Sequence, residues 1–117
     1  MSSVFYDHLI DLKKVEKHIK KVAKTPEERE ELYKLVDEIV HHRVIGCILD
    51  NLPEDEHEVF MRKLIKKPHD RRIMKYLAKR VAKDVEEFIK SEINKLAVEL
   101  LSIVEEKTRP SEKSKLS

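Results

Sequence analysis

Apolar residues recur along this chain at three- and four-residue spacing, and the phase resets at a few proline- or acid-marked points. Phe5, Leu9, Leu12, Val15, Ile19, Val22 and Ala23 line one helical face, which predicts a first helix from about Ser3 to Lys24. Thr25-Pro26-Glu27-Glu28 then supplies an N-cap, a proline at the first helical position and a glutamate placed to close a capping box. A second helix is predicted from Pro26 to about Asn51. Leu32, Leu35, Val36 and Ile39 point one way and Val44, Ile45, Ile48, Leu49 and Leu52 largely the other. A helix apolar on different sides in its two halves is packed by different neighbours along its length. Gly46 shares a face with Leu35, Ile39 and His42, and a glycine inside a helix there predicts a close helix crossing.

Leu52-Pro53-Glu54-Asp55-Glu56 opens a third helix with carboxylates at the positive end of its dipole, and Val59, Phe60, Met61, Leu64 and Ile65 give its apolar side. Lys67-Pro68-His69-Asp70 ends it, with Asp70 set to cap a fourth helix that turns Ile73, Met74, Leu77 and Val81 inward. Asp84-Val85-Glu86-Glu87 repeats the capping-box pattern, so a break is expected near Ala82–Lys83. The last helix carries Ile89, Ile93, Leu96, Leu100 and Ile103 in four-three alternation. Between Leu96 and Val104 seven of nine positions are apolar, more than a rim helix needs. That surplus points to a homodimer whose seam is Ile93, Leu96, Leu100, Leu101, Ile103 and Val104. Residues 108–117 have no periodicity and include Pro110, the pattern of a disordered tail. The expected architecture is all-α: a compact bundle of four or five helices with short Pro-marked turns and a long C-terminal helix, forming one domain over residues 1–107.

Composition narrows the function classes. The chain has 117 residues, 41% of them charged, with one glycine and one cysteine. A single glycine cannot build a phosphate-cradling loop, and a single cysteine permits no intrachain disulfide or four-cysteine zinc module. No apolar run matches a signal peptide or a membrane span, which leads to the expectation of a cytoplasmic protein. Cys47, among Val44, Ile45, Ile48 and Leu49, reads as a buried structural thiol. Glu38-Ile39-Val40-His41 and Glu54-Asp55-Glu56-His57 both have the Glu-x-x-His spacing used in di-metal carboxylate bundles. With sixteen Glu and six His in a helical chain, such pairs arise by chance, and no lone Glu sits on an apolar stripe to complete a site. No cofactor and no catalytic residues are expected.

Charge changes the picture more. Residues 61–83 hold ten Lys or Arg against one acid, a local excess of nine in a chain of net charge +2. Arg71, Arg72, Lys75, Lys79 and Lys83 share one helical face opposite Ile73, Leu77 and Val81, and Arg62, Lys63, Lys66 and Lys67 extend the patch. Like charges this close repel, so an anionic counterpart stabilises them. A charge run is ordinarily a solvated face, and acidic blocks elsewhere in the chain offer internal neutralisation. The sequence therefore predicts a non-enzymatic interaction module that binds an acidic protein partner through the basic face. Structured RNA or a duplex backbone is the alternative, because only Tyr76 is available in the stretch for base stacking.

His42 to Asp55, with Val59-Phe60, Leu64, Tyr76-Leu77 and Asp84-Val85-Glu86-Glu87-Phe88-Ile89, resembles small uncharacterised all-helical domains of candidate-phylum bacteria with tiny genomes. The likeness covers roughly residues 42–106 and lies mostly in the two helix starts. It implies a helical fold, supplies no activity and no site residues, and leaves residues 1–40 unmatched.

Overall fold

Phe5 decides how the chain begins. In a computed structural model, which describes residues 4–81 and 84–108, its backbone N–H donates to the carbonyl of Pro68 at 2.7 Å. Its ring meets Phe60 and Tyr6 edge-on, with centroids 6.3 and 5.3 Å away. The helix expected from Ser3 is therefore absent over its first half. Residues 7–9 form only a 3₁₀ turn, the Val4 N–H is taken by the Asp7 side chain, and Ile10 is extended. Burial of two aromatic rings and a distant backbone bond override the helical pattern here. Helix α1 spans Lys13–Val22.

The rest of the chain is α2 (Pro26–Asn51), a 3₁₀ turn at Glu54–Glu56, α3 (His57–Lys66), α4 (Arg72–Ala78) and α5 (Val85–Lys107). The fold is all-α: among the described residues there are five α-helices, the C-terminal one long, and no strand. The turns fall where Pro26, Pro53 and Pro68 place them. A break separates α4 from α5, and Ala82 and Lys83 themselves lie outside the described residues, as does the tail from residue 109.

Caps explain two of these boundaries. The Thr25 hydroxyl accepts the Glu28 N–H at 3.1 Å, and the Glu28 carboxylate reaches back to the Lys24 N–H at 2.8 Å. This is a capping box whose return bond lands one residue early. At α5 the Asp84 carboxylate accepts the Glu87 N–H at 3.3 Å.

The packing divides into two compact units. Among the described residues, one comprises 4–10, 42–81 and 84–93, and the other comprises 11–41 and 94–108. Both α2 and α5 contribute a segment to each. The buried residues of α2 show how one helix can do this. Leu32, Val36, Val40, Val44 and Ile48, with Leu52 just past the helix end, are all buried and recur every four residues. Each step of four overshoots a full turn by about 40°, so the stripe rotates roughly 200° between Leu32 and Leu52. The change of face predicted from the sequence is this rotation.

Gly46 does not mark a close crossing. A Cβ built there meets nothing within 4 Å, and the helix runs through it unbroken. In α5 the buried stripe is Val85, Ile89, Ile93, Leu96, Leu100 and Val104. Val104, rather than Ile103, takes the innermost place, so the four-three alternation ends at Leu100. Ile93, Leu96, Leu100 and Val104 are thus covered within a single chain, while Leu101 and Ile103 are half-buried. The surface left for a dimer seam is reduced to those two and Val98.

A candidate anion-binding cleft

The turn between α3 and α4 is built by local chemistry. Lys67 precedes a proline and leaves the helical region with φ −145° and ψ 82°, which ends α3. The Asp70 N–H donates back to the Lys67 carbonyl at 3.1 Å. The N-cap of α4 is Arg71 rather than the expected Asp70, which lies one residue earlier and accepts the Arg72 N–H at 2.9 Å. The same carboxylate holds the Arg72 side chain through Nε, at 3.1 and 3.2 Å, and through Nη2, at 2.9 Å. With Pro68 tied to Phe5, the turn is fixed on both sides. It encloses an open cleft of about 290 Å³ lined by Lys63, Lys66, Lys67, Asp70, Arg72 and Ile73.

The cleft is cationic. Hydrogen bonds from the Arg72 side chain and then its backbone hold the Asp70 carboxyl down at about 2, so it stays ionised and occupied with Arg72. Lys66 and Lys67 form no salt bridge among the described residues. Lys63 forms no salt bridge either; its Nζ lies 5.2 Å from the Tyr76 ring centroid, and its charge helps to lower Glu56.

The other residues of the predicted basic face are distributed differently. Arg62 is not in the cleft; it pairs with Glu58 at 2.7 Å, one helical turn back. Arg71, Lys75 and Lys79 are exposed on or beside α4 and form no salt bridge among the described residues. Lys83 lies outside the described residues. Two helices and a turn thus bring Lys63, Lys66, Lys67 and Arg72 together, a convergence that a wheel drawn for one helix does not reveal.

Arg80 belongs to a separate cluster that the sequence reading missed. Its guanidinium lies 3.9 Å over the Tyr76 ring, and its Nε donates to Glu56 at 2.6 Å. The Tyr76 hydroxyl donates to the same carboxylate oxygen at 2.6 Å. Burial and the Glu56 hydrogen bond push the tyrosine up to about 12, and the hydrogen bonds from Tyr76 and Arg80 lower Glu56. The spacing of Tyr76 and Arg80, one helical turn apart, was the available signal. The consequence for recognition is direct: the one aromatic ring in the basic stretch is half-buried and already carries the Arg80 guanidinium on a face, which leaves less of it for a stacked base.

Two features of the surface have no structural use. Helix α4 carries no acid in its first turn, so Arg71, which forms no salt bridge among the described residues, sits at the end of the helix where its dipole disfavours cations. Ile65 is 77% exposed, next to Lys66 and one turn from Arg62.

Other candidates are simpler. Among the described residues no three His, Cys, Asp or Glu side chains gather as a metal-ligating set. The His57 ring instead has its Nε2 2.9 Å from the Leu52 carbonyl. Cys47 is half-buried rather than buried, and burial together with neighbouring Glu92 raises its thiol above the ordinary range, away from nucleophilic character. No described helix is long and apolar enough to cross a membrane. No protein-family model, curated protein or solved structure matches the chain.

Proposed function

We propose that this chain is a non-enzymatic interaction module of the cytoplasm that binds an acidic protein segment across the end of α3, the following turn and α4. Exposed Ile65 beside uncompensated lysines carries the reading. A nucleic-acid backbone offers nothing to an isoleucine, whereas an acidic segment with an apolar residue satisfies both the apolar centre and its charged surround. The covered face of Tyr76 argues in the same direction against single-stranded nucleic acid.

The test is fluorescence anisotropy with a labelled peptide, Glu-Glu-Ser-Leu-Glu-Glu, at about 0.15 M salt, where exposed charges are already screened beyond ~8 Å. The wild-type chain binds it. Replacing Lys66, Lys67, Lys75 and Lys79 together with Glu weakens binding at least roughly tenfold, and Ile65→Ser weakens it several-fold. Affinity indifferent to the charge reversal overturns the reading. So does duplex RNA that binds more tightly than the peptide and is lost steeply with salt, which transfers the surface to nucleic acid.

A further inference from the structure

We propose that the cleft between α3 and α4 is a phosphoryl-group pocket, which takes a phosphorylated serine or threonine of the acidic segment. The inference rests on the acidic-segment reading and specifies it.

Four cationic side chains converge on the cleft and one carboxylate answers them, a net excess of three. That carboxylate is the pocket's own control for what a single carboxylate can do. Asp70 occupies Nε and Nη2 of Arg72 in a chelating geometry, and although the Lys67 charge acts on it, neither Lys66 nor Lys67 forms a salt bridge among the described residues. No hydrogen bond from Nη1 of Arg72 occurs among the described residues. A further glutamate from a partner brings one charge and two oxygens to this remaining set. A phosphoryl monoester brings ~1.5–2 charges at neutral pH and three acceptor oxygens on one centre, which matches several donors arriving from different directions. The fixed turn helps, because Pro68 is tied to Phe5 and Asp70 to Arg72, so part of the cleft is ordered before a ligand arrives. Ile65, on α3 beside Lys66, is placed to meet an apolar residue next to the modified one.

The experiment compares Glu-Glu-Ser-Leu-Glu-Glu with the same peptide phosphorylated on its serine, both labelled, against the full chain at neutral pH. The phosphorylated peptide binds roughly tenfold more tightly, the gain of one or two charge-assisted hydrogen bonds. In Lys66→Ala/Lys67→Ala, checked for folding by circular dichroism, that advantage disappears. In Lys75→Ala/Lys79→Ala, whose changes lie outside the cleft, both peptides weaken together and the ratio survives. Equal binding of the two peptides by the wild-type chain overturns the pocket while leaving the acidic-segment reading intact. A phosphorylation advantage that persists without Lys66 and Lys67 overturns it too. Binding of neither peptide removes both proposals.

Discussion

The first part of α2, residues 26–41, and the α3–α4 pair, residues 57–80, are both highly charged, with opposite sign. The former holds six acids against two Lys or Arg; the latter holds nine Lys or Arg against two acids. The fold uses two of these acids at the helix start. Glu27 and Glu28 lie in the first turn of α2, where the dipole favours them, and Glu28 closes the capping box. Arg29, among them, donates to the Lys20 carbonyl near the end of α1. Of the cations of α3–α4, Arg62, Arg72 and Arg80 pair with carboxylates and Lys63 lies over Tyr76, but the remaining five have no comparable role. Arg71 stands at the wrong end of a helix, and Lys66, Lys67, Lys75 and Lys79 form no salt bridge among the described residues. Charge density is therefore a poor guide to function by itself. Charge that the fold leaves without a structural use is the better one.

If that contrast holds, α3–α4 is kept together by its apolar residues and not by its charges. Phe60 is fully buried against the edge of Phe5. Phe60→Ala should cost about 3–5 kcal/mol in urea denaturation, the largest single effect foreseen. Lys66→Ala/Lys67→Ala in the same helix end should stay within about 0.5 kcal/mol of wild type. Comparable losses from the two variants would break the comparison, because the lysines would then be structural.

The acidic region should behave in the opposite way, with a polar change carrying a measurable cost. Thr25→Ala removes the acceptor for the Glu28 N–H and should destabilise by about 1 kcal/mol, while Thr25→Ser retains most of the cap. A neutral Thr25→Ala would mean that the box is ornamental and that the acids of α2 are as unexplained as the cations.

What was legible in the sequence follows the range of the interactions. The boundaries of α2 were readable because Thr25-Pro26 acts within one turn. The ends of α3 and α5 were readable from Pro68 and Asp84 for the same reason. The start of the chain was not, because Phe5 is fixed by Phe60 and Pro68, which no local pattern connects to it. The basic character of residues 61–83 was legible, but its sorting was not. Arg62 pairs with Glu58 within α3, but whether a cation meets a distant carboxylate, as Arg80 does, or joins others around a cleft depends on the angle set by the α3–α4 turn. Spacing along one helix contains no information about that angle.

The smallest effect concerns a place where structure and sequence disagree. A glycine well inside a 26-residue helix loses more backbone freedom on folding than any other residue, and ordinarily something compensates. Nothing here does so. Gly46 has no positive φ, no atom beyond its own stretch of helix comes within 4 Å of where its Cβ would stand, and α2 neither ends nor breaks at it. Gly46→Ala should therefore stabilise the chain by about 0.5–1 kcal/mol, through helix propensity and a less flexible unfolded state. The urea midpoint should rise with an unchanged slope, since no additional surface is buried. Peptide binding should be unaffected, because the position is outside the cleft. A loss of stability on adding one methyl group would show that another backbone does approach Gly46 in solution, and would restore the close crossing that the sequence pattern predicts.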